Sequence, residues 1–214
     1  VRLDSVELFH LSMGLKAPFE TSFGIERDRH CVIVKLMGEG LTGWGECVAG
    51  RFPGYSYETA STAWHLLKDF FIPALLSAPL DGPPQFQLRV APYRGHPMAR
   101  AGLEMALWDL WGKAQGRSLR ELLGGERLRV PVGVSVGLQE SVQALLRMVQ
   151  SYVERGYARV KLKIKPGLDV EPVRAVRQAH PQLPLQVDAN SAYDLDDAET
   201  FNRLDDLGLL MIEQ

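Results

Sequence analysis

From Val130 onward, short apolar runs alternate with helical patterns, and a polar side chain recurs at the C-terminal end of each run. Residues 130–136, 159–164, 183–187 and 209–212 read as strands. Between them, residues 140–154, 169–180 and 194–207 carry apolar side chains at three- and four-residue spacings, as in Val142, Leu145, Leu146, Val149 and Val153. Strands that alternate with helices in this way must run parallel. The polar residues at the run ends are Ser135, Lys163, Asp188 and Glu213, separated by 28, 25 and 25 residues. A TIM-type barrel has that spacing, since roughly 250 residues make eight βα units, and its catalytic mouth is formed by the C-terminal ends of its strands. One phase of the repeat therefore brings a lysine and two carboxylates around a common space.

The lysine strand supports this phase. In Val160-Lys161-Leu162-Lys163-Ile164-Lys165 the ammonium groups alternate with apolar side chains, which puts all three on one face. An edge strand with a solvated lysine face would show the same alternation. The carboxylates in register with it favour a barrel strand whose charged face points to the interior or the mouth.

The first part of the chain has a different rhythm. Residues 2–13 and 31–37 read as strands, Gly38-Glu39-Gly40 as a hairpin turn, and residues 42–48 as the return strand. Residues 14–24 and 49–55 read as loops. Residues 58–77 form an amphipathic helix that Asp81-Gly82-Pro83-Pro84 ends. A second helix over 96–115 is apolar around most of its circumference and carries the i,i+4 pairs Arg100–Glu104 and Asp109–Lys113. Ser118-Leu119-Arg120-Glu121 is a capping box, closed off by Gly124-Gly125. The expected organisation is an α+β domain over residues 1–125, then the first four strands of a (β/α) barrel over 126–214, with the barrel incomplete in this chain.

Composition removes several function classes. Lys and Arg number 24 against 26 Asp and Glu, a formal charge of −2, so there is no excess of basic groups for nucleic acid or an anionic membrane. No apolar run reaches the roughly 18 residues of a membrane span. Two cysteines are too few for a disulfide framework or a thiolate zinc site, and a cytoplasmic protein with reduced thiols is expected.

The ordered motifs resemble the enolase superfamily in its muconate-lactonizing subgroup. Ala106-Leu107-Trp108-Asp109-Leu110-Trp111-Gly112-Lys113, running on to Leu122-Leu123-Gly124-Gly125, resembles the N-terminal signature. Lys161-Leu162-Lys163 resembles the Lys-x-Lys motif, and Asp188-Ala189-Asn190 and Ile212-Glu213-Gln214 resemble the first two metal-ligand strands. Within the subgroup, Lys-Leu-Lys-Ile-Lys-Pro-Gly at 161–167 and Ala-Pro-Phe-Glu-Thr-Ser-Phe-Gly at 17–24 are similar to o-succinylbenzoate synthases that also racemise N-acylamino acids. Muconate-type cycloisomerases and dipeptide epimerases are the neighbouring activities. An inactive half-barrel that only associates with a partner is the alternative of another class.

The resemblance implies abstraction of a proton α to a carboxylate, assisted by Mg2+ or another divalent cation such as Mn2+. Removing so weakly acidic a proton leaves an enediolate, whose charge a dication on hard oxygen ligands can stabilise. On this reading Lys163 is the base, with its charge disfavoured by partial burial and by Lys161. Lys161 stays charged and holds the substrate carboxylate, and Asp188 and Glu213 bind metal. Ser135, Asn190, Phe19, Phe23 and Tyr55 are substrate-contact candidates; Arg51 and Phe52 are weaker ones, and Lys165 reads as solvated or structural. A third metal carboxylate and a second lysine would come from later strands. The sequence is thus expected to be the N-terminal portion of a longer enzyme of menaquinone biosynthesis, a homo-oligomer at full length, acting on a small carboxylate. The 214 residues alone are expected to be inactive.

Overall fold

The structure, a computed structural model, describes residues 2–214. They group into two compact units. One is built from the residues up to Gly14 together with Asp28–Arg127; the other combines Leu15–Arg27 with Leu128–Gln214.

A three-stranded sheet in the order β1-β2-β3 is formed by β1 (Ser5–Thr21), β2 (Gly24–Gly38) and β3 (Leu41–Cys47), with Leu15–Arg27, the tip of its first hairpin, grouped in the second unit and the rest in the first. β2 and β3 are antiparallel, with Val34 opposite Gly45 and Leu36 opposite Gly43. The helices are α1 (Ala60–Leu66), which continues through a π-helical turn (Leu67–Phe71) into α2 (Ile72–Leu76), then α3 (Pro84–Val90), α4 (Pro97–Gln115) and α5 (Leu119–Leu122).

Glycine decides how closely α4 approaches β3. A Cβ on Gly45 would stand 2.0 Å from the Gly102 carbonyl oxygen, and one on Gly43 would stand 2.1 Å from that of Ala106. The alternation Gly43-Trp44-Gly45 therefore lays a smooth backbone face against the helix. Val34, Leu36, Leu103, Ala106 and Leu110 close the core around it. The first turn of α4 has no capping side chain of its own. Buried Glu58 takes that role, accepting from the Met98 and Ala99 amides at 2.8 and 3.0 Å.

Three local expectations change. Residues 14–24 are not a loop: β1 runs to Thr21 and β2 starts at Gly24, so the two strands form a long hairpin with a short tip. β1 is an edge strand, where a proline such as Pro18 is tolerated. A further helix, α3, begins just after the Asp81-Gly82-Pro83 break, because proline is well tolerated in a first helical turn. The Asp109–Lys113 pair forms at 2.7 Å. Arg100 instead donates to the Tyr93 carbonyl, and Glu104 accepts from Gln87 and Trp108. The Ser118–Glu121 capping box is present in both directions.

The second unit is a four-stranded parallel sheet in the order β4-β5-β6-β7, from β4 (Gly133–Val136), β5 (Arg159–Lys163), β6 (Leu185–Asp188) and β7 (Ile212–Glu213). Helices α6 (Val142–Glu154), α7 (Val170–Ala179) and α8 (Ala198–Asp205) connect the strands. Val160, Leu162, Leu185 and Val187 are buried against Val149, Val173, Val176 and Leu204 of the helices. The alternate residues of the same strands project from the other face.

Candidate active site

The parallel register sets that other face in rows. Ser135 stands beside Lys161, and Lys161 beside Gln186; one row further along, Lys163 stands beside Asp188 and Asp188 beside Glu213. The second row lies at the C-terminal ends of the strands.

Asp188 is the centre of the cluster. Its Oδ2 accepts from Lys163 Nζ at 2.5 Å and from Lys161 Nζ at 2.7 Å, while its Oδ1 accepts the Asn190 amide at 3.0 Å. Lys161 also reaches Glu213 Oε2 at 3.0 Å, and Lys163 donates to Asn190 Oδ1 at 2.7 Å. The Asp188 side chain is 3% exposed and that of Lys163 is 9%, against 25% for Lys161 and 45% for Glu213. Burial alone would push the Asp188 carboxyl up. The hydrogen bonds from the two lysines and from the Asn190 amide outweigh burial and hold it below the usual carboxylate range. Burial alone would likewise lower Lys161, but its bonds to Asp188 and Glu213 prevail and hold it above the usual lysine value.

Two hard-oxygen carboxylates on neighbouring strand ends are a donor set suited to a hard divalent cation. Among the described residues, no cluster of three or more His, Cys, Asp or Glu side chains gathers that could hold a metal. Asp188 and Glu213 are the two carboxylates that this cluster presents.

The structure brings Lys161, Lys163, Asp188, Asn190 and Glu213 into one bonded cluster, with Ser135 in register beside Lys161. Asn190 holds a left-handed backbone at φ 48°, as asparagine does more readily than most residues. Phe19 and Phe23 lie at the tip of the β1–β2 hairpin, in the same unit as the cluster. Tyr55 belongs to the first unit, in the connection after β3, and is largely exposed. Three residues were not singled out in the sequence. Gln186, buried beside Lys161, carries the period-two signal two positions before Asp188. Glu20 has no local signal, since its ion pair with Lys165, at 3.1 Å, spans 145 residues of chain. Asp169, at the start of α7, accepts from Tyr193 Oη at 3.0 Å. Lys165 itself lies beyond the end of β5, in a turn.

A parallel β/α sheet that carries lysines and carboxylates on adjacent strand ends, preceded in the chain by an α+β unit, is the layout of part of a (β/α)-barrel protein with an N-terminal α+β domain. Comparison with known proteins makes the class specific. The family description "Mandelate racemase / muconate lactonizing enzyme, N-terminal domain" matches residues 5–124, and "Enolase C-terminal domain-like" matches residues 144–214. The first match covers more than half of the chain, which belongs to the mandelate racemase / muconate lactonizing enzyme family of the enolase superfamily. Over its whole length the chain is 47% identical to an o-succinylbenzoate synthase from Geobacillus kaustophilus, covering 57% of that protein. It is 49% identical to an N-succinylamino acid racemase from Thermus thermophilus, covering 58% of it. A crystal structure of an enolase-superfamily member from Listeria innocua superposes with a TM-score of 0.93 at 40% identity, over 100% of this chain and 58% of that one. The chain therefore spans a little under three fifths of these relatives' length. Among the described residues, no helix is long and apolar enough to cross a membrane.

Proposed function

We propose that a protein carrying this chain removes the proton α to a carboxylate in a small acid, either dehydrating its substrate to o-succinylbenzoate or racemising N-acylamino acids. The observation that carries the reading is the Lys163–Asp188–Lys161–Glu213 cluster at the strand ends. The 47% and 49% identity to a synthase and a racemase supports the choice of substrates.

Lys163 is the proton acceptor. Its Nζ is enclosed and backed by the neutral Asn190 amide, and among the described residues one carboxylate, that of Asp188, binds it. As the substrate Cα–H bond breaks, the proton forms an N–H bond at Nζ and the electron pair spreads onto the substrate carboxylate; in the dehydration that pair then expels the hydroxyl, which takes the proton from Nζ and leaves as water, and in the racemisation a group outside these residues returns a proton to the opposite face. Lys161, gripped by two carboxylates that keep it protonated, supplies fixed positive charge beside that developing anion. Asp188 and Glu213 would hold a divalent cation such as Mg2+ or Mn2+, which when bound lends Lewis-acid stabilisation to the carboxylate oxygens. Ser135 and Asn190 offer hydrogen bonds at the same strand ends, and Phe19 and Phe23 offer apolar contact.

The two chemistries separate by assay. With these residues in a polypeptide of the relatives' full length, one sample receives an N-succinylamino acid and another a hydroxycyclohexadiene carboxylate precursor. Optical rotation follows racemisation, and ultraviolet absorbance follows formation of the aromatic product. Asp188→Asn and Glu213→Gln should each abolish both activities. Activity surviving in both variants would contradict the proposed ligand set.

A further inference from the structure

The β1–β2 hairpin tip rests on three successive strand-end loops of the second unit. After β4, the Leu138 amide donates to the Glu20 carbonyl at 3.1 Å. After β5, Lys165 Nζ pairs with Glu20 Oε1 at 3.1 Å. After β6, Ser22 Oγ donates to the Asn190 carbonyl at 3.1 Å. Gly137 forms the seat. A Cβ there would stand 3.0 Å from the Glu20 oxygen, 3.3 Å from its nitrogen and 3.3 Å from the Phe19 ring.

Lys165 is not a loosely held surface lysine. Lys165-Pro166-Gly167-Leu168 is a tight turn closed from both ends, by Leu168 N to Lys165 O at 2.8 Å and Lys165 N to Leu168 O at 3.3 Å. Proline in the second place and Gly167 at φ 82° in the third suit a type II turn, which fixes where the lysine side chain starts. Asp169 Oδ2 braces it by accepting the Gly167 amide at 3.1 Å and the Tyr193 hydroxyl at 3.0 Å. The third contact leads into the cluster. Asn190, whose carbonyl receives Ser22, holds Lys163 Nζ with its side-chain oxygen at 2.7 Å.

We propose that Glu20, Ser22 and Lys165 form a latch that seats the hairpin tip on Gly137, making Lys165 a positioning residue for the tip and Ser22 a positioning residue for Asn190. The bearing of this latch on substrate contact, through Phe19 and Phe23, rests on the function proposed above. The latch itself does not, so its test uses no activity.

Hydrogen exchange on this chain, read at the Leu138 amide and over residues 15–27, measures release of the tip. An ion pair of this exposure contributes modestly, so Lys165→Met and Glu20→Gln should each speed exchange roughly 1.4- to 5-fold. The amides of Ile164 and Ala189, paired within the sheet, should not change. The exchanged pair Glu20→Lys with Lys165→Glu should restore protection, which a purely steric role would not do. Gly137→Ala should speed tip exchange with the ion pair's residues intact. Ser22→Ala should shift the Asn190 side-chain amide resonances. Leu138 exchange unchanged in both single charge variants, or a charge exchange that restores nothing, would overturn the latch. Unmoved Asn190 resonances in Ser22→Ala would overturn the link to the cluster.

Discussion

Replacing Asp188 by asparagine keeps the shape of the cluster and removes the one charge that both lysines share. Asp188 and Lys163 side chains are 3% and 9% exposed, so water cannot take over the lost pairing. Breaking a buried ion pair from one side costs about 3–5 kcal/mol. Lys163 keeps Asn190 Oδ1 at 2.7 Å and Lys161 keeps the half-exposed Glu213, which argues for the lower end. A loss of about 3 kcal/mol would speed exchange of the Ile164 and Ala189 amides by roughly 150-fold where they exchange through opening of the sheet. Adding Lys163→Met to Asp188→Asn should recover about 2 kcal/mol, because the unpaired ammonium is then gone. The effect is pH-dependent with a definite sign. Asp188 titrates below its unfolded value, so its contribution is complete above that value and is lost as pH falls through the lowered one. The gap between wild type and variant should therefore close in acid. Additive costs in the double variant, within about 0.5 kcal/mol, would refute shared pairing at Asp188.

Gly45→Ala would drive a methyl to 2.0 Å from the Gly102 carbonyl oxygen, and α4 must move away from β3. Overpacking of this kind costs about 1–3 kcal/mol, which urea unfolding followed by tryptophan fluorescence should detect. Burial pushes the Cys47 thiol up to about 11. It should resist alkylation at pH 8 in the folded protein. Its folded value lies above the unfolded one, so stability should decline as pH rises from about 9 toward 11, less steeply in Cys47→Ala. Equal slopes in the two proteins would contradict that assignment.

The second unit was legible because its signals are short-range. Period two on β5 and a step of 25 residues from Lys163 to Asp188, and again to Glu213, set the register that joins them. The hairpin tip was not. Glycine and proline in residues 14–24 suppress local periodicity, while the pairing that makes the segment extended comes from its neighbour strand. α3 was hidden by a proline pair that reads as a stop and serves as a start. The role of Lys165 depends on Glu20, 145 residues away, and no spacing rule reaches that far. The contact of Gly43 and Gly45 with α4 is of the same kind: alternation suggested a strand, but the partner was set only by packing.

The sharpest test follows one hydrogen atom. In D2O with Mg2+, a full-length polypeptide bearing these residues should wash the α-proton signal of an N-succinylamino acid out of its NMR spectrum, and Lys163→Ala should slow that loss by at least a hundredfold. Exchange that continues undiminished after Lys163→Ala would mean that a different group takes the proton, and the role given to the strand-end lysine would be wrong.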